Sequence, residues 1–342
     1  VSAIADVARE AGVSKSTASR ALSGRGYVSD ATRDRVVRAA DAMGFVVSTN
    51  ASSLVTGKTR NVGVVIPFIS RWFFAHVLEG IESSLSAAGY DLTLYQVSTD
   101  VDQRRRVFDY FLVRKRVDAV IAVGIALTPR EVELLGALGK PVVGIGGEIS
   151  GMATLSIDEA DVMRIATEHL VALGHRRIMH VTGFVNERMD FGVHRQRLSG
   201  YAAAMDAAGL RASAIFRETE FTIPGGYEAG LEILADSARR PTGIVAGCDE
   251  VAIGIIIAAR ELGIDVPREL SVVGIDNHDL AEMFSLTTVE QRPSSQGALA
   301  VAWLMRQMDD AATAQAASAP AERPTVVPVS MRVRASTAPP AR

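Results

Sequence analysis

Between residues 61 and 291 the chain alternates short Val- and Ile-rich runs with amphipathic stretches, and this alternation constrains the fold more than any other feature. The runs are Val62–Pro67, Leu92–Val97, Ala119–Ile125, Val142–Gly146, Ile178–Thr182, Ile244–Gly247 and Ser271–Ile275. A run that is apolar throughout has no face for water, which is the mark of a parallel strand covered on both sides. Between the runs, Phe73–Ala88, Val162–Leu173, Leu198–Ala208 and Glu250–Leu262 carry apolar residues at helical spacing. Gly89, Gly174, Gly209 and Gly263 follow these four stretches, where a helix wants a left-handed C-terminal residue. Strand alternating with helix predicts an α/β protein with parallel sheets, and this many units predicts two doubly wound lobes rather than one sheet.

Composition narrows the class. A chain of 342 residues with 48% hydrophobic and 22% charged residues has the length for two or three domains with real cores. It holds no run of about 18 apolar residues, so no membrane-spanning helix is expected. Cys248 is the single cysteine, which excludes an internal disulfide and any multi-thiolate metal site. With no secretory apolar segment in Val1–Glu10, the expected compartment is the reducing cytoplasm. The net charge of −3 argues against nucleic acid only as an average. Residues 1–60 hold nine Arg and Lys against five acids, a net of +4, which leaves −7 for the remainder.

That basic head has its own pattern. Ile4, Val7, Ala8 and Ala11 recur at one-faced helical spacing, and Gly12 ends the stretch. Ser14 is placed to cap a second helix over Lys15–Leu22, with Ala18, Ala21 and Leu22 inward. Ser29 is placed to cap a third, with a stripe of Val36, Ala40 and Met43 and a stop at Gly44. Three short helices with a basic outer face match a DNA-reading helix–turn–helix. Lys15, Ser16, Ser19 and Arg20 lie on the outward face of the second helix, where side chains reach base edges, and Thr17 is counted with Lys15, Ser16 and Arg20 among the DNA-contacting residues. The bland alternative is a helical subdomain whose basic residues are only solvated.

The stretch Ile4–Leu22, followed by Tyr27-Val-Ser and Thr32-Arg33, closely resembles the head of the lac repressor/purine repressor family of bacterial transcriptional regulators. The resemblance continues through Ile66-Pro67, Phe73-Phe74, Leu173–Ile178, Arg197–Tyr201, Asp249–Gly254, Gly274–Asn277 and Arg334–Thr337, covering nearly the whole chain. It implies a three-helix head over residues 1–46 and a hinge over 47–60. It further implies an effector-binding and dimerisation body over 61–342, resembling periplasmic sugar-binding proteins. Within the body, the first lobe is expected at about 61–159 and 291–322, the second at about 160–290 and 323–338.

In this family the hinge forms a short helix on operator DNA and a leucine wedges into the minor groove, kinking it. Leu54 matches that leucine and Ala51 the small residue one turn earlier; with Ser29 they complete the DNA-contacting set that the resemblance implies. The usual Pro, Asn and Arg of the hinge are replaced by Val47, Ser48 and Ser52, so hinge folding is expected to be weaker. Thr56-Gly-Lys-Thr59 imitates a phosphate-binding loop, but Ser52 stands where its first Gly is required, which excludes that reading.

A two-lobed α/β body binds its ligand in the cleft outside the strand C-termini. Residues just after strands are therefore the candidates: Phe73, Phe74, Asp158, Arg197, Phe221, Asp249 and Asp276. Arg197 is similar to the family's ligand-gripping arginine, with a surface ion pair as its bland alternative; the others have bland alternatives as helix caps or core aromatics. An arginine with carboxylates and an aromatic wall suits a sugar, while a sugar acid or a purine also fits. The family's many sugar sensors put carbohydrate first. Arg71-Trp72 stands where many relatives have Asn-Pro, a change that points to an anionic or ring-shaped ligand. No catalytic constellation, metal-ligand pair among the six His, or cofactor motif is visible. The expectation is a repressor, without cofactor, binding near-palindromic DNA as a homodimer or tetramer. The alternative is a solute receptor with a non-functional head.

Overall fold

The computed structural model describes residues 3–23, 26–45, 58–112, 117–185, 192–312 and 325–341. They fall into two compact units, a head and a body that begins at Val62. The hinge residues Val47, Ser48, Ala51, Ser52 and Leu54 lie outside the described residues.

The head contains helices α1 (Ile4–Glu10), α2 (Lys15–Ser23) and α3 (Asp30–Ala42). Gly12 takes a φ of +63° between α1 and α2, a conformation in which a side chain would be strained. Ser14 Oγ accepts a 3.1 Å bond from the Thr17 amide, capping α2 as expected. Val7, Ala8, Ala18, Ala21, Val36 and Ala40 form a small buried core, with Leu22 and Met43 packed against it. Ser29 behaves differently from expectation. It occupies the N-cap position of α3, but its hydroxyl donates to Thr32 Oγ1 and makes no bond to a backbone amide.

In the body, the first lobe holds β1 (Asn61–Ile66), α4 (Trp72–Ala87), β2 (Asp91–Gln96) and α5 (Val101–Arg106). It continues with β3 (Ala119–Val123), α6 (Pro129–Ala137), β4 (Val142–Ile145) and β5 (Ala153–Ser156). The chain then passes through α7 (Glu159–Ala172), β6 (Ile178–Thr182), α8 (Val193–Ala207), β7 (Ile215–Glu218) and α9 (Ile223–Ala235). The second lobe closes with β8 (Gly243–Ala246), α10 (Asp249–Glu261), β9 (Ser271–Asp276) and β10 (Thr287–Glu290). Helix α11 (Pro293–Ala312) and two late strands, β11 (Thr325–Val326) and β12 (Ser330–Arg332), end the body.

Both sheets follow one plan. The first runs β11-β5-β4-β3-β1-β2 and the second β12-β10-β9-β8-β6-β7. Each places its second strand on one side of its first strand and its third on the other, so strand order reverses beside β1 and beside β6. Ligands of open parallel sheets bind at that reversal, outside the strand C-termini.

All seven expected strands form, but β2, at the edge of the first sheet, is only half-buried rather than covered on both faces. The structure adds β5, β7 and β10, whose sequences mix polar residues into short runs. In β10, Thr287 and Thr288 are fully buried because their hydroxyls find partners: Thr288 donates to Asp249 (2.7 Å) and Thr287 to the Arg334 carbonyl (3.1 Å). The lobe boundary also shifts. Residues 323–338 were expected in the second lobe, yet Thr325–Val326 pair with Leu155–Ser156 in the first sheet. The final crossing therefore follows β11 and precedes the antiparallel pairing of β12 with β10.

His180, in the middle of β6, is fully buried and donates Nδ1–H to the Val245 carbonyl at 2.8 Å. Burial pushes its pKa down to about 4. The unfolded chain takes up this proton near pH 6.5 and the folded chain does not, so stability present above pH 6.5 is lost as pH falls toward 4. We expect melting temperature to fall with pH across this window more steeply in the wild type than in His180→Gln. Equal slopes in the two proteins would exclude His180 as a source of acid sensitivity.

Candidate functional site

A cavity of about 130 Å³ opens at the C-terminal ends of both sheets. Since one water needs about 10–15 Å³, the space suits a molecule of one ring rather than a long chain. The loop after β1 and the start of α4 supply its first wall: Phe68, Arg71, Phe73 and Phe74. Phe74 meets Phe68 edge-on at 5.6 Å between centroids and Phe73 at 5.3 Å. A Cβ at Gly124, just past β3, would lie 2.5 Å from the Phe74 ring. The second lobe repeats the device. Phe221 packs edge-on against His194 at 4.4 Å, and a Cβ at Gly247, just past β8, would lie 2.5 Å from Phe221. Glycine at these two strand ends lets an aromatic wall lie down on each sheet edge.

Arg197 projects from the start of the second turn of α8 and is almost wholly buried. Its Nε and one terminal nitrogen both lie 2.7 Å from Oε2 of buried Glu159, the first residue of α7. Its other terminal nitrogen donates to the Gly247 carbonyl. Burial by itself would lower the Arg197 pKa, but Glu159 and then Asp276 outweigh it and hold the guanidinium firmly protonated. Asp276, at the end of β9, accepts from the Gln291 amide. Burial, reinforced by the neighbouring Asp249 carboxylate, pushes Asp276 well above the usual carboxylate range. Its φ of +131°, followed by +60° at Asn277, is strained backbone of the kind held at binding sites. Burial, aided by the charges of Arg197 and Arg71, pushes His194 down to about 3, so it is neutral near pH 7.

The cavity thus gathers Phe73, Phe74, Arg197, Phe221 and Asp276 from the expected set. Two expected residues are elsewhere. Asp158 is exposed and caps α7 by accepting from the Asp161 amide (2.9 Å). Asp249 is fully buried outside the lining, where it accepts from the Thr288 hydroxyl and the His278 amide (2.8 Å). Burial raises Asp249 to about 6 despite those bonds. In both places the next residue, Glu159 or Glu250, lines the cavity instead. The short Asp is taken up elsewhere in each case, Asp158 by the Asp161 amide of its own helix and Asp249 by the His278 amide and Thr288 hydroxyl beyond β9, which leaves the following Glu to face the cavity. The Asp-Glu doublet after a strand was the available signal. Phe68, His194 and Gln291 also line the cavity, and only their positions just after strands or at a helix start hinted at it.

At the rim, Trp72 of α4 joins the two lobes. Its ring lies 4.2 Å from His76 and stacks on His278, from the loop after β9, at 5.1 Å. The indole Nε1–H donates to Asp279 at 3.2 Å. Such aromatic contacts are worth about 0.5–1.5 kcal/mol. We therefore expect Trp72→Ala to weaken ligand binding by roughly 2- to 12-fold while melting temperature changes little. Unchanged affinity would show that this clasp does not hold the binding conformation.

On the head, Lys15, Ser16 and Arg20 stand exposed on α2. Thr17 is half-buried, its hydroxyl 2.8 Å from Ser14 Oγ. Arg20 Nε donates to the Ser16 carbonyl at 3.3 Å, which lays the side chain along the helix. Tyr27, before α3, is 93% exposed, an unusual placement for an aromatic ring with no role in contacts.

Comparison with known proteins agrees with both parts. Residues 3–48 match the family model "Bacterial regulatory proteins, lacI family", and residues 167–337 match "Periplasmic binding protein-like domain". Catabolite control protein A of Priestia megaterium is 33% identical over 313 residues, 90% of this chain and 92% of that protein. The HTH-type transcriptional repressor PurR of Vibrio atlanticus is 30% identical over 317 residues, with 90% and 92% covered. Among solved structures, the lac repressor dimer bound to operator and an anti-inducer has a TM-score of 0.83 at 23% identity, covering 98% of this chain and 99% of that one. A complex of the transcriptional regulator CelR with cellobiose has a TM-score of 0.68 at 26% identity, covering 98% and 100%. A lacI family regulator from Enterococcus faecium with bound ribose has a TM-score of 0.70 at 26% identity, covering 82% and 99%. The chain belongs to the lacI family of bacterial regulatory proteins and is an effector-controlled DNA-binding transcriptional regulator.

Proposed function

We propose that this protein is a cytoplasmic repressor that binds a near-palindromic operator as a homodimer and senses a sugar or sugar derivative in the cleft of its body. The cavity at the C-terminal ends of two doubly wound sheets carries this reading, because it joins an aromatic wall to a buried Arg, Asp and Gln in a ring-sized space. Those groups suit hydroxyls, and related regulators hold cellobiose or ribose. Phe73, Phe74, Arg197, Phe221 and Asp276 contact the effector; Asp249 and Asp158 position the cleft. Lys15, Ser16, Thr17 and Arg20 read the major groove, Ser29 sits at the DNA-facing start of α3, and Ala51 and Leu54 form the minor-groove wedge. Residues 1–46, 47–60 and 61–342 are the head, hinge and body of this scheme. Effector and operator bind reciprocally, each changing the other's affinity by the same factor.

A sensor fits the cleft better than an enzyme does. Cys248 is buried with its thiol pushed well above its ordinary pKa by burial, which suppresses the nucleophilic thiolate.

The test begins with selection of an operator from random duplex DNA and measurement of affinity against salt. Arg20→Ala should cost about 1–3 kcal/mol at the selected operator and relax preference at one base position. A uniform loss on all sequences would make Arg20 a phosphate contact. Leu54→Ala should weaken the operator complex and spare effector binding, whereas an unchanged operator complex would remove the wedge role. Absence of any salt-dependent DNA affinity would favour a solute receptor.

A further inference from the structure

Among the described cations of the cavity, Arg197 and Arg71 are in opposite situations. Arg197 is neutralised in place by Glu159 and donates a further hydrogen bond to the Gly247 carbonyl. The Arg71 side chain makes no hydrogen bond or ion pair to a described residue. Its guanidinium instead lies over the Phe68 ring, with Cζ 3.7 Å from the centroid. Stacking of this kind fixes the plane of the guanidinium and leaves its N–H edges unsatisfied. The group stands at the N-cap of α4, on the cavity wall, without a side-chain bond to the helix amides.

Its described surroundings give its side chain no paired partner. His194 faces the same space in its neutral form, held so in part by Arg71 itself. Glu250 lines the cavity without forming an ion pair with Arg71; burial pushes its pKa up and outweighs the lowering by the Arg71 charge. Asp276 is occupied by Gln291 and is likewise pushed up by burial. A planar cation, pre-oriented and unpaired among the described residues of a ring-sized apolar cavity, fits two oxygens of a carboxylate or phosphate through parallel N–H bonds. The polar groups of the second lobe, Asp276, Gln291 and Glu250, accept or donate to hydroxyls.

We propose that Arg71 selects an oxyanion on the effector, making the ligand a sugar acid or sugar phosphate whose ring lies between the aromatic walls and whose hydroxyls meet the second lobe. The proposal rests on the cleft being the effector site. The ligand then bridges the lobes, with its anion on the α4 side and its hydroxyls on the β9 and β10 side.

The test uses the full-length protein and matched trios of probes: glucose, glucuronate and glucose 6-phosphate, and the corresponding galactose set. Calorimetry and melting-temperature shifts are read on the wild type, Arg71→Gln, Arg71→Lys and Arg197→Met. The expected result is one anionic probe binding about 10- to 100-fold more tightly than its neutral parent. In Arg71→Gln that ratio collapses toward one. Arg71→Lys, which keeps charge but loses the fork, restores more affinity for a phosphate than for a carboxylate, and the preferred member of each trio names the oxyanion source. Neutral sugars binding as tightly as their anions, with binding lost in Arg197→Met, would overturn the oxyanion proposal and leave the cleft as the effector site. Binding untouched by either substitution would overturn both. No shift with any of the six probes would also overturn the proposal.

Discussion

Arg197→Met is expected to abolish the effector response and to cost about 3–5 kcal/mol of folding stability, read by operator-binding titrations and by denaturant unfolding. The side chain is buried and joined to buried Glu159 through two nitrogens at 2.7 Å. Removing the cation leaves the Glu159 carboxylate without its partner in a site from which water is largely excluded. The double variant Glu159→Gln/Arg197→Met removes both charges together. It should recover much of the stability, because a neutral pair of similar volume has no stranded charge, and should recover none of the response. This separates two roles that a single substitution confuses. A single variant that is stable and fully responsive would show that the pair neither supports the cleft nor meets the ligand.

Gly200→Ala carries the second large effect, although Gly200 does not touch the cavity. A Cβ there would lie 2.0 Å from the Ala160 carbonyl oxygen, so α8 and α7 meet backbone to backbone. Glu159 sits one residue before Ala160, and Arg197 one turn before Gly200. The close approach of the helices therefore sets the geometry of the buried pair. Because the obstructing atom is backbone, no rotamer change relieves the clash and the helices must separate, at a cost of about 1–3 kcal/mol or more. We expect lower stability together with weaker effector binding. The exposed neighbour Ala203 supplies the control: Ala203→Gly costs about 1 kcal/mol through helix propensity and should leave effector affinity unchanged. Equal effects on binding from both variants would refute the geometric account.

Much of the fold is legible in the amino-acid sequence. Val- and Ile-rich runs buried on both faces announce themselves, as in β3, where all five residues are buried. The head is readable for the same reason, since Val7, Ala8 and Ala18 can only face inward at their spacing. Strands β5, β7 and β10 are not readable, because their polar residues resemble loops until a partner such as Asp249 accepts the Thr288 hydroxyl. The short late strand β11 joins a different lobe from the one expected, since two residues carry no information about which sheet edge they will meet.

Local period, composition and turn chemistry, which each residue carries with it, were enough to set the class of molecule. They specify a basic three-helix head, a body of alternating strands and helices, and a cleft at the strand ends. Three features of the site depend instead on the folded chain: which member of each Asp-Glu doublet faces the ligand, that Arg197 is already neutralised, and that Arg71 is not. Those are properties of distance between segments far apart in the chain. Reach, burial and pairing exist only after the two sheets bring their C-terminal ends around one cavity.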